Sequence, residues 1–201
     1  MLATIDFCSE LSSPCFYLAA RKIGDVTKLY DRSVHWGPIM LGMISQTTQN
    51  RPLMEQPLKA DYMDRDMHRV ARDMAPPFAP PVAGFPFASR AGALAIYWAA
   101  DQEEGADARL AMALFQAVFE RGQSNTGAAA VGRIADAAGL DGAALIDAAA
   151  MKAMKDRLRA GNDRTLAAGV CGAPFFIGDE EPFWGCDRLD HVERWLATGG
   201  W

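Results

Sequence analysis

The chain has 201 residues, half of them hydrophobic, with a net charge of −5 and an isoelectric point near 5.2. That length suits one well-buried domain, or one domain with a large insertion, and the acidic balance excludes the basic surface that nucleic acid or an anionic membrane demands. No apolar run approaches the roughly 18–20 residues that span a bilayer, and the opening MLATIDFCSE has no basic n-region, so neither a span nor a secretory signal is expected and the protein reads as cytoplasmic. Cys8, Cys15, Cys171 and Cys186 form no C-x-x-C pair and read as free thiols in a reducing compartment. His35, His68 and His191 share no ligand spacing, so no metal site is expected.

In chain order, Thr4 to Leu11 predicts a strand with Ile5 and Phe7 on one face. Ser12-Ser13-Pro14 turns the chain into a helix whose apolar side carries Leu18, Ile23, Val26, Leu29 and Tyr30. Proline suits a first helical turn because its missing N–H would be unpaired there. Ser13 then sits at a helix N-terminus, either as a simple N-cap or facing a bound anion. Val34 to Met40 is a second strand-like run, interrupted by Gly37-Pro38. Ala75 to Pro86 is too rich in proline for helix and reads as a loop. Helical spacing dominates from Ser89 to about Arg121, from Thr126 to Ala138 and from Asp141 to about Ala168.

Phe175 to Ile177 then reads as a buried strand, 178–181 as a turn and Phe183-Trp184 as the returning strand. Gly185 breaks the run, Asp187 is the expected N-cap, and Leu189, Val192, Trp195 and Leu196 recur at helical spacing. Pro174 stands before the first of these strands. X–Pro is the common place for a cis peptide, which would leave the preceding backbone open to an extended ligand, while a trans proline opening an edge strand is the commoner outcome. The order of elements predicts an α/β unit made of residues 1–60 plus 166–201, interrupted by an all-helical insertion over 61–165.

Several stretches carry a resemblance. GVCGAPFFIG at 169–178 with FWGCDRL at 183–189, TIDFCSELSSPCFYLAARKI at 4–23, WGPIMLG at 36–42 and NRPLMEQPLKADYMDRDMHRVA at 50–71 resemble the 2-hydroxychromene-2-carboxylate isomerases and the related kappa-class glutathione transferases. The likeness runs over nearly the whole chain. It implies a thioredoxin-like domain with a large helical insertion, the DsbA/kappa-class architecture, with glutathione as cofactor and a small aromatic substrate between the two parts. It also implies a homodimer. By position, Ser13 inherits the serine that faces the glutathione sulfur. Asn50 and Lys59 fall on glutathione-contacting positions, the lysine suiting a carboxylate. Ala173 and Pro174 would pair with the tripeptide backbone, and Cys186 and Asp187 would hold its γ-glutamyl end.

The activity implied is a cis–trans isomerisation of 2-hydroxychromene-2-carboxylate to trans-o-hydroxybenzylidenepyruvate. A glutathione thiolate, stabilised by the Ser13 hydroxyl and a helix N-terminus, adds reversibly, lets the bond rotate and is eliminated. Five positions depart from the family pattern. Cys15 and Phe16 replace an aromatic and a small residue, Cys171 a phenylalanine and Cys186 a glutamine or serine, and Ala88 stands where an asparagine often follows. Other readings are a kappa-like glutathione transferase, a non-catalytic glutathione-binding module, and a thiol oxidoreductase using Cys15, which has no partner cysteine within three residues.

Overall fold

The computed structural model describes residues 4–74, 77–79 and 87–201. Strand β1 (Thr4–Ser9) is followed by helix α1 (Pro14–Lys28) and strand β2 (Ser33–Pro38). The chain returns late to the same sheet, as β3 (Phe175–Gly178) and β4 (Glu181–Trp184). Strand order is β2-β1-β3-β4, with β1 parallel to β2 and antiparallel to β3, and β3 antiparallel to β4. This is the α/β unit expected from the two ends of the sequence.

β2 runs without interruption through Gly37 and Pro38, which pair with Cys8 and Ser9. The expected break is absent because β2 is an edge strand, where a proline's missing N–H forfeits no ladder bond. The predicted run to Met40 instead stops at Pro38, and α2 (Leu41–Thr48) follows. Its start is pinned by a buried side chain from far along the chain, the Oδ1 of Asn162 accepting the Met40 N–H at 2.8 Å.

Helix α1 buries Phe16, Tyr17, Leu18, Ala19 and Ala20 in succession. A single apolar stripe predicts less burial than this, and Leu29 lies beyond the helix and is 70% exposed. The reason is that α1 is packed on two sides, against the sheet and against the helical segment, and a helix covered on both sides buries most of its circumference.

Between the two halves of the sheet run α3 (Pro57–Met74), α4 (Arg90–Ala99), α5 (Ala106–Phe119), α6 (Ala128–Ala137), α7 (Gly142–Ala150) and α8 (Lys152–Ala167). The helical stretch after Ser89 divides at Gly105, whose φ of 77° ends the intervening turn. The stretch after Asp141 divides at Met151, which takes an extended ψ of 144° with no glycine or proline to signal the break. Asp141 does signal a start, its carboxylate accepting the Ala144 N–H at 2.9 Å. The proline-rich loop predicted over 75–86 lies outside the described residues except for 77–79, where Phe78 stacks beside Tyr17 and Phe119.

The hairpin turn uses Asp179 and Glu180, both at positive φ (51° and 70°), as a two-residue turn matched to strand twist requires. Arg32 forks onto Asp179 with bonds of 2.8 and 2.9 Å, fastening the turn to the start of β2. Helix α9 (Leu189–Thr198) closes the described fold against α1.

One aromatic cluster unites these layers. Phe7 on β1 lies 4.2 Å from Phe16 on α1, and 5.0 Å from both Trp36 on β2 and Phe176 on β3, measured between ring centroids. Phe16 in turn stacks on Phe115 of α5 at 5.7 Å. Phe7 is fully buried, so Phe7→Ala is expected to cost about 3–5 kcal/mol of unfolding free energy, measurable as a lowered urea midpoint; a loss below about 1 kcal/mol would contradict this placement of the core.

Candidate functional site

The turn from β1 into α1 is built on a buried carboxylate. Glu10 is 4% exposed, and its side chain accepts the N–H of Ser12 at 3.0 Å and the Ser12 hydroxyl. Its backbone carbonyl accepts the Ser13 N–H at 3.2 Å. Ser13 is extended (φ −96°, ψ 120°), and its carbonyl opens α1 by accepting from Phe16 and Tyr17. The Ser13 hydroxyl makes no capping bond. Ser13 thus holds the N-cap position by its backbone alone, and the half-buried residue keeps its hydroxyl at the start of a 15-residue helix with proline at its first turn.

The second half of the site comes from the other end of the chain. The Ala173–Pro174 peptide is cis, and the Pro174 carbonyl accepts the Gly185 N–H at 3.0 Å. That bond ties the proline turn to the loop after β4. Gly185 has a φ of 115°, a conformation that favours glycine. Cys186–Arg188 then forms a 3₁₀ turn before α9. Asp187 is consequently not the N-cap of that helix; Arg188 holds the position without a side-chain cap. The 3₁₀ turn delays the helix and folds the Asp187 carboxylate back toward Gly185, where its Oδ1 would meet an added Cβ at 2.4 Å.

Two adjoining cavities open between these loops and α3. One, of about 410 Å³, is lined by Cys15, Lys59, Ala173, Pro174, Cys186 and Asp187 among others. The other, of about 580 Å³, is lined by Asn50, Arg51, Lys59, Cys171, Ala173 and Trp184 among others. Leu53, Lys59, Ala173 and Trp184 border both. The six residues expected from the sequence to contact glutathione thus line one continuous groove. Ser13 lines neither cavity; its neighbour Cys15 faces the first, and Pro14 faces a small hollow of about 30 Å³ with Met54 and Met67. Phe16, grouped above with the altered site positions, points into the core instead and is fully buried.

Some groove residues carried no sequence signal of their own. Trp184 is 55% exposed, and an added Cβ on Gly172 would lie 2.6 Å from its indole nitrogen, so the bare glycine is the seat of the ring. A large aromatic on the open face of a two-residue-alternating strand, with Phe183 buried beside it, is the hint that was available. Tyr62, Met63 and Met67 of α3 complete an apolar wall. Among the described residues no helix is long and apolar enough to cross a membrane, and no group of three or more His, Cys, Asp or Glu is placed to hold a metal ion.

Residues 4–197 match the DSBA-like thioredoxin domain. The chain belongs to that family. It is 28% identical over 198 residues to a 2-hydroxychromene-2-carboxylate isomerase of Sphingobium xenophagum, covering 98% of this chain and 99% of that protein. The solved structure of a 2-hydroxychromene-2-carboxylate isomerase superposes with a TM-score of 0.87 at 22% identity, over 96% of this chain and 94% of that one. A cytosolic disulfide reductase, DsbM of Pseudomonas aeruginosa, solved with GSH, superposes with a TM-score of 0.64 at 15% identity, over 96% of both chains. The fold is thus the DsbA-like thioredoxin fold with helices inserted between the two parts of its sheet.

In this DSBA-like chain two thiols meet in the groove. Cys15 and Cys186 both line the cavity of about 410 Å³, and the Cys15 thiol donates to Met67 Sδ at 3.2 Å. All four cysteines are free. Cys15 beside it favours the Cys186 thiolate and lowers its pKa, helped by the backbone N–H groups of Cys186 and Asp187 against burial and the Asp187 charge. Cys15 is pushed the other way, by Cys186 first and by burial second. Cys15 has no cysteine within three residues in the sequence, and the fold brings Cys186 from the far end of the chain to the same cavity.

Glu10 generates a test of the α1 turn. Burial raises its pKa above the ordinary 4.5, opposed by bonds from Ser12 and Ser89. The folded state therefore holds the proton more tightly than the unfolded one, and Glu10 weakens stability as pH rises from the ordinary value through the folded one. Glu10→Gln removes that loss. Urea midpoints of wild type relative to the variant should fall over this window and level off above it; parallel midpoints across pH would refute the buried-carboxylate account.

Proposed function

We propose that this chain is a glutathione-dependent isomerase acting on 2-hydroxychromene-2-carboxylate or a related aromatic catabolite. The observation that carries the reading is the convergence of Asn50, Lys59, Ala173, Pro174, Cys186 and Asp187 on one groove beside the N-terminus of α1. Two features add support: the curated relative that spans the whole chain bears that isomerase name, and the Pseudomonas aeruginosa disulfide reductase of the same fold was solved with GSH.

The groove suits a short peptide with two carboxylates, an ammonium and a thiol. Its cavities lie in the size range of ligand pockets. Lys59, exposed between them, offers a cation for a carboxylate. Asp187, exposed on its turn, offers an anion for the ammonium. Ala173 offers backbone beside Pro174. When bound, glutathione supplies a thiolate that adds reversibly to a conjugated double bond. Ser13 donates a hydrogen bond from its uncommitted hydroxyl to stabilise negative charge at that sulfur, in the favourable field of the α1 N-terminus. Trp184, Tyr62 and Met67 present flat and polarisable surface for an aromatic substrate.

The test is an assay on 2-hydroxychromene-2-carboxylate with glutathione present and omitted. Turnover should require glutathione, regenerate it and yield trans-o-hydroxybenzylidenepyruvate. Ser13→Ala removes one hydrogen bond to a charged group, about 1.5–3 kcal/mol, and should lower kcat roughly 10- to 100-fold. Accumulation of a stable thioether would move the reading to a glutathione transferase, and turnover indifferent to glutathione would overturn it.

A further inference from the structure

Cys15 stands on the first turn of α1 and Cys186 on the 3₁₀ turn after β4, and both line the cavity of about 410 Å³. The two thiols share this one cavity although they come from opposite ends of the chain, and each acts on the other's ionisation. Neither sulfur takes part in the isomerisation proposed above, in which Cys186 serves only as part of the turn that holds glutathione. We propose that Cys15 and Cys186 form a dithiol centre that reacts with low-molecular-weight disulfides, Cys186 attacking first and Cys15 resolving, to leave a Cys15–Cys186 disulfide across the groove.

The roles follow from the surroundings. Cys186 lies against the N–H groups of its own turn with Cys15 beside it, and both favour the thiolate character that attack requires. Cys15 keeps its proton while Cys186 is charged. Once Cys186 is bonded to an incoming sulfur its charge is gone, and Cys15 is left beside an electrophilic disulfide. The remaining cysteines are placed differently. Cys8 is buried in another cluster with Ile39 and Ile44, and burial pushes its thiol up to about 12. Cys171 borders only the neighbouring cavity.

The step balances with glutathione disulfide as oxidant. The Cys186 thiolate attacks one sulfur, the S–S bond breaks, a Cys186–glutathione disulfide forms and one glutathione thiolate leaves and takes up a proton. Cys15 releases its proton and attacks the Cys186 sulfur, forming the Cys15–Cys186 bond and expelling the second glutathione. The protein dithiol is oxidised by two electrons, and one disulfide becomes two thiols. The choice of glutathione disulfide rests on the reading of the groove given above; the reactivity of the pair does not.

The full chain is incubated separately with glutathione disulfide and with hydroxyethyl disulfide, alkylated, and mapped by mass spectrometry without reduction. The expected result is loss of two alkylatable thiols and a Cys15–Cys186 linked peptide, formed faster with glutathione disulfide. Cys15→Ser should trap a single glutathionyl group on Cys186. Linkage at equal rates with both reagents would uphold the dithiol centre while counting against the glutathione groove. Failure to link Cys15 to Cys186 with either reagent, or modification confined to Cys171, would overturn the proposal, and this readout on the wild-type chain depends on no variant folding.

Discussion

The ring of Phe7 holds this molecule in register. It is packed between Phe16 and Phe176 with centroids at 4.2 and 5.0 Å, and those two rings each stand behind a loop of the candidate site. Phe16 follows Ser13-Pro14-Cys15 on α1, and Phe176 follows Ala173-Pro174 on β3. The distance between the two halves of the groove is thus set by aromatic packing in the core, where contacts are dense and displacement costs stability. Phe115 extends the same stack into the helical segment. The groove's far wall, α3, reaches the start of α1 through the Met67–Cys15 contact.

The electrostatics of the site are local rather than global. A chain of net charge −5 has no field to draw an anion, so a carboxylate bound as proposed would rely on individual groups, Lys59 and Arg51 at the groove and the N-terminal end of α1. A buried carboxylate, Glu10, is retained within the same turn because it shapes the backbone: it collects the Ser12 N–H and hydroxyl and leaves Ser13 extended with its own hydroxyl uncommitted. The site therefore depends on a group that never faces it.

Much of this was legible in the amino-acid sequence, and the exceptions have physical causes. Alternation in β1, the apolar run of β3 and the Gly-bounded turn gave the strands because period-two patterning is a local property. Asn50 and Lys59 are legible only through resemblance, since they are exposed polar residues without local distinction. What escaped was set by partners far along the chain or by local turns that no breaker residue announces. Helix α2 begins where Asn162 captures the Met40 N–H, α7 and α8 part at Met151 without a breaker residue, and Asp187 lost the cap position to a 3₁₀ turn. The meeting of Cys15 with Cys186 is the sharpest case, because no spacing rule links the first turn of α1 to the last loop of the sheet.

The central claim, that this groove is a glutathione site with Ser13 acting on the sulfur, is tested most directly by calorimetric titration of the protein with glutathione, following the bound thiol by its ultraviolet absorbance as pH is varied. The account predicts saturable binding, with a bound thiol that ionises below the ordinary pKa of about 8.5 for such a group. No heat of binding at millimolar glutathione, or a bound thiol that ionises as it does in free solution, would contradict it.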